Sequence, residues 1–339
     1  MDKTLDQLTY GAVDSGRRKF VSIAAAAMAS VCAPTVLAQN TTKLRVGTIP
    51  IVDSAPLFVG IEKGFFKELG LEIDTTPAPG GAALLPALAA GQFQVAFSNT
   101  TSTLLAIGEG LTFRFVTAGC STGAKGPDLA GLMVRADSPI QSGTDLEGKR
   151  VAVNNRNNIM WIRTASWIDK NRGHSDRATF VEIPFPQMVD ALIGGQVDAA
   201  MVNEPFLSVG LQTHKDKVKV LSWPMSDTAP NGVVSQYVSN NDWLSKNPEL
   251  AERFARGLGR GVGWVRQNQG NPEWEKLVSG YTRIPPERLR GIALPIYDSV
   301  IDPSKIREMI ELMRRYKVLN QDLDVSALIY PTALRDYSR

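Results

Sequence analysis

The chain has 339 residues, with 37 Lys and Arg against 34 Asp and Glu, a formal charge of +3. That balance leaves no strongly basic surface, and no nucleic-acid partner is expected. Hydrophobic residues make up 43%, which in a chain this long supports one large core or two lobes of ordinary size.

Residues 1–38 read as a twin-arginine export leader. A polar stretch with Asp2, Asp6 and Asp14 precedes Arg17-Arg18-Lys19-Phe20-Val21. An alanine-rich apolar run follows, and Val36-Leu37-Ala38 offers small residues to a signal peptidase before Gln39. Pro34 interrupts the run, which is shorter than the roughly 20 residues of a spanning helix, so cleavage near Ala38 is expected rather than anchoring. The destination is then the periplasm. Cys32 leaves with the leader and Cys120 remains alone, so the remaining 301 residues are expected to be soluble and to fold without an internal disulfide.

From Lys43 onward, strand and helix signals alternate. Strands are predicted at Leu44–Ile49, Leu71–Thr75, Gln94–Phe97 and Phe113–Ala118. Between them, helices open at Asp53-Ser54-Ala55-Pro56, at Gly80-Gly81-Ala82-Ala83 and at Ser98-Asn99-Thr100. The rhythm begins again with strands at Gly131–Arg135, Lys149–Val153, Thr179–Ile183 and Val197–Val202. Helices are predicted over Ile159–Lys170 and Pro186–Ile193. A β-rich run, Val233–Val238, precedes an almost wholly helical end, in which Gly257-Leu258-Gly259-Arg260-Gly261 reads as close helix packing. This alternation predicts an α/β fold of two lobes, each built on a parallel sheet. The expected first lobe is 43–133 with 239–339, the second is 138–233, and 134–137 and 234–238 form a two-segment hinge beside a cleft.

One arrangement recurs: a strand, a polar or glycine turn, then a helix N-terminus. It occurs at Asp53, Ser54 and Ala55; at Gly80, Gly81 and Ala82; at Ser98, Asn99 and Thr100; and at Asn155, Arg156, Asn157 and Asn158. Strand carboxyl ends face the crevice of such sheets, and helix N-termini there present unpaired N–H groups and a positive dipole end to an anion. Each turn taken singly is also an ordinary helix cap. Arg156 offers a bidentate partner for a carboxylate or sulfonate. Glu204, at a strand end, offers an acceptor to a ligand amine or to a donor that closes the lobes. His174 and His214 lie in polar, loop-like stretches, and no HExxH, CxxC, GxSxG or phosphate-binding glycine motif is present.

The chain resembles the periplasmic solute-binding proteins of the nitrate, sulfonate and taurine type of ATP-driven importers. The likeness rests on Asp53-Ser54-Ala55-Pro56-Leu57, Ile61-Glu62-Lys63-Gly64-Phe65-Phe66-Lys67-Glu68-Leu69-Gly70-Leu71 and Gly80-Gly81-Ala82-Ala83. It continues through Leu88–Phe93, Ser98-Asn99, Ala136–Ile140, Asp145–Val153, Ala191–Ala199 and Glu204-Pro205. It implies a type II periplasmic-binding fold that closes on a small ligand at the turns named above and docks on the membrane permease of an ABC importer. The turn at Asn154–Asn158, followed by Met160-Trp161, differs from the short Ser/Thr/Gly-rich turn of simple sulfonate binders and leaves room for a larger, aromatic organic acid. The expectation is thus a monomeric binding protein, without cofactor or metal, for a small anionic organic solute, a sulfonate or carboxylate. The alternative is an enzyme on the same fold acting on a pyrimidine or quinone precursor, although the cysteine-rich motif of the related pyrimidine synthase is absent.

Overall fold

The computed structural model describes residues 41–339, and the predicted leader lies outside the described residues. Strands β1 (Thr42–Thr48), β2 (Leu71–Pro77), β3 (Val95–Asn99) and β4 (Phe113–Ser121) come first. Helices α1 (Ala55–Glu62), α2 (Gly81–Ala89) and α3 (Thr100–Gly108) lie between them. Next come β5 (Ala130–Arg135), β6 (Arg150–Val153), β7 (Thr179–Glu182), β8 (Ala199–Asn203) and β9 (Val218–Ser222), with α4 (Ile159–Lys170), α5 (Phe185–Ile193) and α6 (Phe206–Thr213). The chain returns through β10 (Val233–Asn240) and ends in α7 (Pro248–Asn268), α8 (Pro272–Thr282), the short β11 (Ile296–Tyr297) and α9 (Pro303–Arg315).

Two sheets result, ordered β11-β4-β10-β3-β1-β2 and β7-β6-β8-β5-β9. They are mixed, not wholly parallel as expected. β1 runs parallel to β2 and β3, and β6 runs parallel to β7 and β8, whereas β10 is antiparallel to β3 and β4 and β5 is antiparallel to β8 and β9. β10 and β5 arrive from the opposite lobe, so each enters its sheet from the far end; the short β11 is antiparallel to β4 as well.

The same pairing moves the crossings. The chain leaves the first sheet after Ser121 and joins the second at Ala130; it leaves the second after Ser222 and rejoins the first at Val233. Residues 122–129 and 223–232 therefore connect the lobes, rather than 134–137 and 234–238. Residues 132–134 are paired on both sides within the second sheet, and 234–238 lie in the buried middle of the first. A strand held by ladders on both edges is a poor place for a joint.

The helical end packs on the first lobe. Val52, Ala55 and Val59 share a core with Val262, Val265, Trp274 and Val278. The glycines of α7 make this approach possible. A Cβ on Gly257 would collide with the Phe66 ring, one on Gly259 with Tyr337, and one on Gly261 with the carbonyl oxygen of Pro56. Among the described residues, no helix is long and apolar enough to cross a membrane.

Candidate functional site

The carboxyl ends of β1, β3, β6 and β8 bring polar turns from both lobes face to face. A cavity of about 30 Å³ lies between them, lined by Ile49, Ile51, Asp53, Gly81, Phe97, Asn99, Asn154, Asn158, Ile159, Met160, Phe185, Val234 and Ser235. Three helices begin at this cavity. α2 starts at Gly81; α3 is capped by Asn99, whose side chain accepts from Ser102 N at 2.9 Å; and α4 is capped by Asn158, whose side chain accepts from Trp161 N at 3.0 Å. Each contributes partial positive charge to one small space. No Lys or Arg lines it.

Hydrogen bonds cross from lobe to lobe around the cavity. Asn203 Nδ2 donates to Asp53 Oδ1 at 3.0 Å, Ile159 N to Asn99 Oδ1 at 3.3 Å, and Asn154 Nδ2 to the Pro79 carbonyl at 3.5 Å. Ala293 N, on the segment after α8, donates to Glu204 Oε1 at 3.3 Å. Of the two roles expected for Glu204, the structure shows pairing with a donor from the other lobe. Glu204 also accepts from the Ser208 hydroxyl and amide, at 2.6 and 3.1 Å.

Both carboxyls are buried. Burial raises Asp53 to about 6, with the Asn203 bond acting against the rise, and raises Glu204 to about 7, opposed by Ser208. The second Asp53 oxygen accepts from the Cys120 thiol, at 3.6 Å, and that thiol also lies 3.2 Å from the Ser235 hydroxyl. Burial and the neighbouring Asp53 push the Cys120 thiol up.

The other predicted residues occupy a range of positions. Ser54 sits on the α1 cap, but its hydroxyl points back to the Ile49 and Ile51 carbonyls, at 2.6 and 3.0 Å, and not onto the helix. Ala55 is buried behind it. The room left by Gly80 and Gly81 is taken up by the protein itself. A Cβ on Gly80 would collide with the Asn155 side chain of the opposite lobe, and one on Gly81 would meet Ser98. Ala82 is half-buried in the first turn of α2, away from the cavity lining. Thr100 turns inward, donating to the Val234 carbonyl at 3.1 Å and accepting from Gln236 Nε2 at 2.8 Å. Asn155 Oδ1 is buried without a hydrogen-bond partner, and Asn157 is exposed with φ of 54°.

Arg156 departs from expectation. Its guanidinium donates to the Phe180 carbonyl at 2.6 Å, its amide donates to Glu182, and it lines an outer groove with Trp161, Asp176 and Tyr316. A chain that turns through Asn157 to start α4 directs Asn154 and Asn158 inward and Arg156 outward. Asn154 and Asn203, absent from the predicted set, bridge the lobes together with Asn99; both stood next to predicted residues at strand ends.

A family model described as NMT1/THI5 like matches residues 51–271, more than half of the chain. The chain belongs to the NMT1/THI5-like family. Among curated relatives of this NMT1/THI5-like chain is the bicarbonate-binding protein CmpA of Synechococcus sp., 22% identical over 262 residues. Another is the nitrate/nitrite binding protein NrtA of Nostoc sp., 22% identical over 284 residues. The matches cover 70% and 75% of this chain but only 57% and 61% of those proteins. The ligand-binding component of an ABC-type import system from Staphylococcus aureus, solved with zinc bound, superposes with a TM-score of 0.74 at 15% identity, over 86% of this chain and 98% of its own. At that identity the likeness speaks for the fold alone: two α/β lobes of the periplasmic-binding type.

Proposed function

We propose that this chain is the solute-binding component of an ABC importer and holds a small organic anion, a sulfonate or carboxylate, between its lobes. The observation that carries this reading is the convergence of the α2, α3 and α4 N-termini on one cavity that both lobes line. Amide donors fixed by the backbone stabilise an anion without reorganising, and CmpA and NrtA are named for two anions, bicarbonate and nitrate.

Closure follows from the same geometry. Segments 122–129 and 223–232 serve as the joint, and the lobe-to-lobe bonds of Asn203, Asn99, Asn154 and Glu204 hold the closed form. A ligand touching turns on both lobes stabilises the closed over the open arrangement and shifts the population toward it. The closed monomer, carried to the periplasm by its leader, presents its surface to a membrane permease.

Calorimetric titration with methanesulfonate, acetate, nitrate and bicarbonate tests the reading, with small-angle scattering to follow closure. Saturable binding of an anion together with a smaller radius of gyration is expected. Binding of none of them, or turnover of a bound compound, overturns the proposal.

A further inference from the structure

Gly80 and Gly81 stand side by side before α2, yet different neighbours crowd them. A Cβ on Gly81 would lie 2.8 Å from Cα of Ser98, so that glycine lets α2 settle on β3 within the first lobe. A Cβ on Gly80 would overlap Asn155 Oδ1 and lie 2.9 Å from Asn154 Nδ2, and both of those belong to the second lobe. The backbone at Gly80 is extended, with φ −172° and ψ 161°, a conformation open to any residue. Its missing side chain therefore answers to what approaches it, not to its own conformation.

This approach is unlike the other contacts between the lobes. Asn203, Asn99 and Glu204 hold their partners by hydrogen bonds. Asn155 Oδ1 is buried against Gly80 without a partner, so the contact adds no bond to the closed form. The two turns also resist yielding. Asn154 Oδ1 accepts from Asn158 Nδ2 at 2.7 Å, and Asn158 is the cap of α4. Across from it, the ring of Pro79 fixes the backbone that leads into Gly80. Two stiff turns meeting without a bond limit approach rather than promote it.

We infer that Gly80 and Asn155 form the stop of lobe closure, and that their contact sets how near the lobes come. Gly80 is thus a positioning residue, acting on the gap and not on the solute. The inference rests on the proposed closure around an anion and adds what limits that closure.

Variants of the full chain test it, by calorimetry with methanesulfonate, acetate, nitrate and bicarbonate, by small-angle scattering and by thermal melts. Gly80→Ala should lower affinity at least about tenfold and leave a larger radius of gyration under saturating anion. Its Tm without anion should stay near that of the wild type. Adding Asn155→Ala, in the other lobe, should recover most of both losses, which damage confined to the first lobe would not allow. Gly81→Ala should instead lower the Tm and gain nothing from Asn155→Ala. Asn155→Gln lengthens the opposing side chain and should act as Gly80→Ala does, should that variant fold poorly. Gly80→Ala that binds and closes like the wild type, or losses that Asn155→Ala fails to recover, overturn the stop and leave the anion site standing. A wild type that neither binds nor contracts with any of these anions overturns the closure reading and the stop with it.

Discussion

The Asn203 amide lies 3.0 Å from Asp53 Oδ1 in the other lobe and 3.1 Å from the carbonyl of Glu204, so both of its protons have acceptors. The amide therefore has one orientation only. Its oxygen is buried without a partner, and the buried Asp53 carboxyl relies on it for a donor. Asn203→Leu should cost ~1–3 kcal/mol, as expected when a buried acceptor loses its donor. A thermal melt should show a lower Tm, and scattering should show a more open particle. An unchanged Tm and radius would remove Asn203 from the closing apparatus.

Asp53 links binding to pH. Its carboxyl titrates at about 6 in a cavity where an anion would favour the neutral form further. Between the free and bound pKa, binding takes up a proton. Affinity should therefore be highest below about pH 6 and fall by up to about tenfold per unit above it. Calorimetry in two buffers of different ionisation enthalpy should detect that proton, and Asp53→Asn should abolish both effects. Affinity that is flat from about pH 5 to about pH 8 would contradict the assignment.

Glu204 acts on folding in the same sense. Its carboxyl rises from 4.5 to about 7 on folding, so the folded state binds more protons within that window. Its contribution to stability is present below the unfolded value and is lost as pH rises through about 7, a change of a few kcal/mol. Denaturant midpoints should fall across this range. Glu204→Gln should flatten the profile, and an identical profile in the variant would count against the link.

Arg156 and Asn158 provide a contrast within one turn. Arg156→Ala should leave anion affinity within about twofold, since the guanidinium serves Phe180 outside the cavity. Asn158→Asp keeps an effective helix cap but puts a negative charge on the cavity wall, and affinity should fall at least about tenfold. The reverse ranking would return Arg156 to the site.

The α7 contact can be probed in the same paired way. Gly261→Ala drives a methyl into the Pro56 carbonyl and should cost ~1–3 kcal/mol. Gly280→Ala, in α8 with open space around the new methyl, should stabilise by ~0.4–1 kcal/mol. Equal melting shifts in the two variants would discount close packing as the reason for the glycines.

Much of this architecture was legible because the signals were local. The span Ile159–Lys170 is predicted and observed with the same ends, since Asn158 caps one end and Lys170-Asn171 closes the other. β9 and α6 carried weaker patterns and escaped notice. The mixed direction of the sheets was not legible at all, because no local pattern states from which lobe a strand arrives. The same limit explains the site. Asn99 and Asn158 were found as caps, whereas Asn203 and Asn154 reach across the lobes to partners 150 and 75 residues away. Arg156 misled because charge suggested a ligand group, while the left-handed Asn157 beside it set which way each neighbour points.

β10 has one more consequence. It is the central rung of the first sheet, bonded to β3 and β4, yet the chain reaches it only after the entire second lobe has been laid down. A ribosome that has made residues 41–222 has therefore produced an incomplete first half beside a second half whose strands are all present. A fragment ending before Val233 can complete the second sheet but leaves the first without its central strand, so the edges of β3 and β4 stay open to pairing with other chains.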